Sequence, residues 1–303
     1  GGSSSGSAAA VACGMCFAAL ASQTGGSITR PASYCGVCGL KPTYGRLSLD
    51  GIVPLAASMD HPGVIAGCVE DLALMLQAMA DVDGRSVDGR PVPEPADYLR
   101  LLDDEPEFLE AGLFRGLFDG MEPSMRKVYE RACNALDEAG LQLIECPLPA
   151  AFAEVTPRHH TVMAVAAALD QEPRFRRHPE DYPPKITALL EHGLATPAPE
   201  YARTKEHQRS LRQSILEAFP EGLVAAVTPA TPGPAPDASS TGLPTFNSPW
   251  SYTGLPTVCF PIGWSDDGLP LGMQLVGLPW QEAELLQMAA WCEATLALEP
   301  RLP

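Results

Sequence analysis

Positive charge is scarce in this chain, and long apolar runs are missing. Its 303 residues hold 20 Lys and Arg against 37 Asp and Glu, a formal net charge of −17. So acidic a chain repels phosphate backbones, which argues against direct nucleic-acid binding unless a partner supplies the basic face. It also offers no polybasic anchor for a membrane surface. No apolar stretch reaches about 18 residues without polar interruption, so no membrane span is expected. There is no obvious internal repeat and no secretory signal at the start. The chain opens Gly-Gly-Ser without an initiator Met, and its true start is expected upstream. Lysine occurs only at Lys41, Lys127, Lys185 and Lys205, all after the first motif discussed below.

Hydrophobic residues at 46% and charged residues at 19% are globular proportions. Proline, at 31 residues, is about twice its usual share and predicts many loops and few very long helices. Nine cysteines, an odd number set mostly in apolar segments, read as reduced, buried thiols of a cytoplasmic protein. Cys13-x-x-Cys16 and Cys35-x-x-Cys38 have zinc-site spacing. Gly14 should break the element between the first two, however, and no His or acidic residue lies close by to support a site. No metal is expected.

Residues 1–43 carry the strongest signal, GGSSSGSAAAVACGMCFAALASQTGGSITRPASYCGVCGLKPT. Two Gly-Gly-Ser turns place Ser3 and Ser27 24 positions apart, each before a segment suited to opening a helix. Such a turn lets a ligand approach the backbone and leaves N–H groups pointing outward. A helix N-terminus adds unpaired donors and partial positive charge. Together these suit an oxyanion held beside a serine hydroxyl. The plainer alternatives are a helix cap at Ser3, Ser4, Ser5 or Ser7, with Ser5 or Ser7 the expected one, and an anion-binding nest without catalysis at Ser27.

Further along, residues 5–13 read as a short helix closed by Gly14, and residues 15–21 as a strand buried on both faces. Residues 23–27 form a loop, and 28–34 a helical turn interrupted by Pro31. Residues 69–80 are an amphipathic helix, and 81–97 a surface loop. Strand 113–118, helix 121–139 stopped by Gly140, and strand 141–146 suggest a crossover in an α/β sheet. Helical patterns follow at about 150–170, 185–193 and 199–218. Strands are expected at 223–227 and 257–260, each ended by Pro, and at 271–276, before a closing helix at 282–296. The alternation predicts a mixed, twisted sheet covered by helices on both faces, with no linker that separates domains.

These residues resemble the amidase signature family. GGSSSGSAAAVA and QTGGSITRPASYCGVCGLKPT match closely. YGRLSLDGIVPLAASMDHPGVIAGCVEDLALML, TPATPGPAP, FNSPWSYTGLPTVCFPIG and GLPLGMQLVG match more loosely, and residues 82–220 are the least distinctive. The resemblance implies one amidase domain over 1–303 with its N-terminal segment missing. It implies amide hydrolysis through an acyl-enzyme on Ser27, with Ser3 as a bridging serine behind a cis peptide. The N–H groups of Thr24, Gly25, Gly26 and Ser27 would form an oxyanion hole. The third member would be a Lys upstream of the first turn, and this chain lacks that region. A buried Lys can serve as base, although lowering its pKa from ~10.4 to ~7 takes about 4–5 kcal/mol of environment. The fragment alone is then expected to be nearly inactive.

Gln23 stands where many members carry Asp, and Arg30 lies three positions past Ser27. Arg30 either pairs with a carboxylate or binds a substrate carboxylate in bidentate fashion. Lys41 is a poor substitute base, and the neighbours Asp60 and His61 are poorly placed for a triad with serine. Trp250 and Tyr252 are pocket candidates with a core role as the simpler reading. No cofactor is implied. The expected partner is a small-molecule amide substrate, with a homodimer as the candidate assembly. The rival readings are the amidase component of a tRNA-dependent amidotransferase and a non-catalytic fragment.

Overall fold

The computed structural model describes residues 1–80, 86–87, 89–102, 104, 106 and 109–298. In chain order the elements are α1 (Ser5–Ala12), β1 (Ala18–Gln23), α2 (Thr29–Cys35), β2 (Cys38–Lys41), β3 (His61–Ala66) and α3 (Val69–Met79). A small hairpin, β4 (Ser86–Val87) and β5 (Arg90–Pro91), precedes β6 (Glu110–Leu113), α4 (Pro123–Glu138) and β7 (Gln142–Glu145). Then come α5 (Val155–Phe175), α6 (Pro184–Ala195), α7 (Ala198–Ala218) and β8 (Ala225–Pro229). Last are α8 (Ser248–Thr253), β9 (Thr257–Trp264), β10 (Pro270–Gly277) and α9 (Glu282–Leu296).

Eight strands form one mixed sheet in the order β1-β3-β2-β9-β10-β8-β6-β7. β6 runs parallel to β7 and β8, and the remaining pairs are antiparallel. α4 links the parallel neighbours β6 and β7, as the strand–helix–strand pattern predicts. α1 and α2 cover one face, with a small core of Ala8, Val11, Ile28, Ala32 and Ile65. α3, α4 and α9 cover the other, over a larger core that includes Leu40, Val64, Leu72, Val258 and Leu286. α5, α6 and α7 pack together, and α8 joins α5 and α7. Among the described residues, no helix is long and apolar enough to cross a membrane.

Several boundaries differ from the sequence reading. The run at 15–21 is not buried on both faces: the strand is Ala18–Gln23 and lies at the sheet edge. Met15 and Phe17 precede that strand and Leu20 lies on it, and all three side chains are exposed. Pro31 does not interrupt α2, since it falls in the first turn, where no intrahelical N–H is required. Residues 115–120 form a 3₁₀ turn, and the strand before them is Glu110–Leu113. Pro261 lies inside β9 and does not end it, at a point where the pairing with β10 shifts register. Neither Ser5 nor Ser7 caps α1. The cap position is Ser4, and Ser7 Oγ donates to Leu20 O at 2.9 Å, tying α1 to β1. Of the loop expected at 81–97, residues 81–85 and 88 lie outside the described residues.

All nine cysteines are free. Cys38 belongs to the large core and Cys35 to the small one, so the second Cys-x-x-Cys pair is split across the sheet. Among the described residues, no group of three His, Cys, Asp or Glu side chains could hold a metal ion.

Candidate active site

The two Gly-Gly-Ser turns meet. Ser3 Oγ donates to Ser27 Oγ at 3.0 Å, and Ser4 N donates to Ser27 O at 3.3 Å. The Gly2–Ser3 peptide is cis. Ser3 is exposed and Ser27 half-buried, so the pair opens to solvent. A hydroxyl both donates and accepts, and rotation of the two groups reverses the direction of this bond.

The segment from Gln23 to Ser27 is held by its carbonyls. His61 Nδ1 lies 3.2 Å from Gln23 O, and His159 Nε2 lies 2.8 Å from Thr24 O. Ser251 Oγ donates to Gly25 O at 3.2 Å, and Arg30 N donates to Gly26 O at 3.1 Å. In a trans peptide the C=O and the following N–H point in opposite directions. Fixing these four carbonyls therefore fixes the N–H groups of Thr24, Gly25, Gly26 and Ser27. None of those four N–H groups donates to a described residue. Backbone donors left unpaired in a turn at the head of a helix make a ready anion cradle.

Gln23 anchors the same turn. Its Oε1 accepts from Ile28 N at 2.9 Å, Thr29 N at 3.1 Å and Thr29 Oγ1 at 3.2 Å, occupying donors at the start of α2. Its Nε2 donates to Ser251 Oγ at 3.1 Å. Asp60 accepts from Thr24 Oγ1 and from the N–H groups of Leu55 and Ala56 at 2.9 and 3.0 Å. It braces a turn and does not pair with the His61 ring. Burial pushes His61 well below the usual imidazole range, and its Nδ1–H is directed at Met59 O, 2.6 Å away, as well as at Gln23 O.

Arg30 is buried, at 7% exposure. Its Nε and Nη2 donate to Gly2 O at 3.0 and 2.6 Å, and its Nη1 donates to Gly242 O at 2.5 Å. The guanidinium fork thus grips the carbonyl of the residue before Ser3. Among the described residues its hydrogen bonds go to backbone carbonyls and not to the carboxylate that the first of the two sequence readings paired it with.

The four lysines occupy other positions. Lys41 is fully buried and donates to Leu255 O and to Pro42 O, and burial brings its pKa down to about 7. Lys127 pairs with Asp266, Lys205 bonds to Ser58 and Gln208, and Lys185 is exposed on α6. Trp250 and Tyr252 are core residues, at 0% and 1% exposure. Trp250 stacks on Phe114, and Tyr252 Oη donates to Thr204 O at 2.9 Å.

Sequence reasoning missed His159, Ser251 and Asn247. His159 sits in the least distinctive region. Ser251 and Asn247 stand in FNSPWSYTGLP, which the resemblance covers without assigning them roles. Asn247 Nδ2 donates to Thr29 Oγ1 at 3.0 Å and to Ala230 O at 2.8 Å, joining α8 to the head of α2.

A family model described as Amidase matches residues 1–286, and the chain belongs to the amidase signature family. It is 32% identical over 95% of its length to a glutamyl-tRNA(Gln) amidotransferase subunit of Thermodesulfovibrio yellowstonii, and covers 66% of that protein. Among solved structures it resembles an amidase (TM-score 0.84, 30% identity), with 97% of this chain and 66% of that one covered. It also resembles the native peptide amidase of Stenotrophomonas maltophilia (TM-score 0.78, 29% identity), with 99% of this chain and 67% of that one covered. The chain thus spans about two thirds of the length of these relatives.

Proposed function

We propose that this protein cleaves an amide C–N bond through an acyl-enzyme on Ser27. The observation that carries this reading is the 3.0 Å contact between the two serine hydroxyls, beside four N–H groups held outward by captured carbonyls. A neutral serine is a weak nucleophile and needs a base. Ser27 Oγ attacks the amide carbon while its proton passes to Ser3 Oγ, and the Ser3 proton passes to the base. The N–H groups of Thr24, Gly25, Gly26 and Ser27 receive the oxyanion. The C–N bond breaks as Ser3 returns a proton to the leaving nitrogen. Water then attacks the Ser27 ester along the same relay, releasing a carboxylic acid and restoring both hydroxyls. We assign the base to a lysine outside residues 1–303, as the family resemblance implies. The reading treats the chain as part of one amidase domain and uses no cofactor. The nine free thiols support a reducing, cytoplasmic setting.

A second reading draws on the curated relatives, which are glutamyl-tRNA(Gln) amidotransferase subunits at about 32% identity. In that case glutamine is the amide, and the ammonia passes to a partner protein. Partners would also supply the basic tRNA surface that a chain of net charge −17 lacks.

The shared chemistry is tested by fluorophosphonate labelling of the full-length gene product. The label is expected on Ser27 and lost in Ser27→Ala, and label retained by that variant defeats the assignment. Glutamine hydrolysis that depends on a co-purifying partner favours the second reading. Hydrolysis of small amides by the isolated protein favours the first.

A further inference from the structure

We propose that His159, on α5, is a positioning residue that sets the Gly25 N–H for the reaction on Ser27. The proposal rests on the acyl-enzyme reading of Ser27. His159 is buried, at 5% exposure, and its Nε2 is 2.8 Å from Thr24 O. A carbonyl can only accept, so the ring carries its proton on Nε2 and donates it. Burial holds the imidazole below its usual pKa, which keeps it neutral with a single N–H to give. That proton fixes the Thr24–Gly25 peptide plane and turns the Gly25 N–H away from α5. The ring also lies against the glycine itself, since a Cβ built on Gly25 would sit 3.3 Å from His159 Cε1. The Tyr252 ring stands behind it, with centroids 6.4 Å apart. Tyr252 is in turn held by Thr204 O and His207 Nδ1, at 2.9 and 3.0 Å. A helix from the least distinctive part of the sequence thus fixes one of the four donors. Ser251 Oγ and Arg30 N do the same for the next two peptides.

The test compares His159→Leu, His159→Gln and His159→Glu in the full-length gene product. The glutamine amide nitrogen can replace Nε2 as a donor. Leucine cannot, and glutamate, read above about pH 9 so that even a buried carboxyl is ionised, turns an acceptor toward Thr24 O. The readouts are the rate of Ser27 labelling by a fluorophosphonate, kcat and KM on a chromogenic anilide and on glutamine, and Tm. Removing one oxyanion-hole donor costs roughly 10²–10³ in kcat. Misaiming one should cost less, about 10–100-fold in labelling rate and kcat for Leu and Glu, with KM within about threefold. Gln should return to within about fivefold of the parent. Should Leu fail to fold, the Gln and Glu pair, alike in shape, decides. Two outcomes overturn the proposal: a folded Leu or Glu variant that labels at the parent rate, or Gln impaired as much as Glu. Either leaves the Ser27 reading standing provided Ser27→Ala abolishes the label. Label retained in Ser27→Ala overturns that reading and this proposal together.

Discussion

The same tripeptide, Gly-Gly-Ser, occurs twice in this protein and folds into two different kinds of site. The turn at Ser27 is half-buried and fastened at every carbonyl, by side chains from β3, α5 and α8 and by the backbone of α2. The turn at Ser3 is exposed, and Arg30 holds its Gly2 carbonyl. Only the first has the ordered donors that charge stabilisation requires, because unfixed dipoles would have to reorganise during the reaction. The second presents a hydroxyl and little else, which suits proton transfer. The comparison is sharpest in the two serines. Ser27→Ala should lower turnover by about 10⁴-fold or more, since no covalent intermediate can form. Ser3→Ala should cost about 10²–10⁴-fold, the usual worth of a general acid–base group. Steady-state kinetics on the full-length gene product checks both. Equal losses would mean that the two serines act as one unit, as triad members do.

The part of this contrast that could be read from the sequence is the part built by local chain. The paired turns, the helical turn after Ser27 and the closing helix Glu282–Leu296 follow from glycine, capping and period, while the strands beside α2, Cys38–Lys41 and His61–Ala66, do not stand out in the sequence. The fastening of the Ser27 turn was not legible, because it depends on long-range contacts. His159 is 135 positions from Thr24, and Ser251 is 226 from Gly25. Neither carries a local pattern, and a lone His on a helix reads as core. Arg30 illustrates the same limit. Its spacing from Ser27 was visible, but its partners, Gly2 O and Gly242 O, are set by tertiary packing. The edge position of β1 was hidden for a related reason, since a short apolar run reads alike at the edge and in the centre of a sheet.

Adding one methyl group to each turn probes the difference in fastening. A Cβ on Gly26 would lie 3.0 Å from Oδ1 and 3.1 Å from Cβ of Asn247, a buried residue pinned by two Nδ2 hydrogen bonds. Asn247 cannot give way without breaking them. Gly26→Ala should therefore lose about 1–3 kcal/mol of stability and most activity. A Cβ on Gly2 would meet Thr241 Cγ2 at 2.9 Å, but Thr241 is an exposed loop residue whose methyl can rotate aside. Gly2→Ala should cost less than about 1 kcal/mol. Denaturant unfolding of the two variants gives the order, and the reverse order would make the Ser3 turn the more rigid of the two.

The smallest expected effect on turnover concerns the link between the turns. Arg30 gives two donors to Gly2 O and one to Gly242 O, so each of its three nitrogens holds a carbonyl inside the protein. Arg30→Lys keeps the charge but cannot reproduce the fork. The loss of one or two charge-assisted hydrogen bonds, about 1–2 kcal/mol net, should loosen the turn that carries Ser3. Turnover should fall about tenfold, with Tm lowered by a few degrees. The loss should be the same for neutral amides and for amides bearing a carboxylate, because the two donors on Gly2 O act through Ser3 and not through the substrate. Kinetics on a matched pair, such as an anilide with and without a terminal carboxyl group, separates the cases. A loss confined to the carboxylate substrate would mean that the guanidinium leaves Gly2 when substrate binds. The two turns would then be joined through the ligand and not through Arg30.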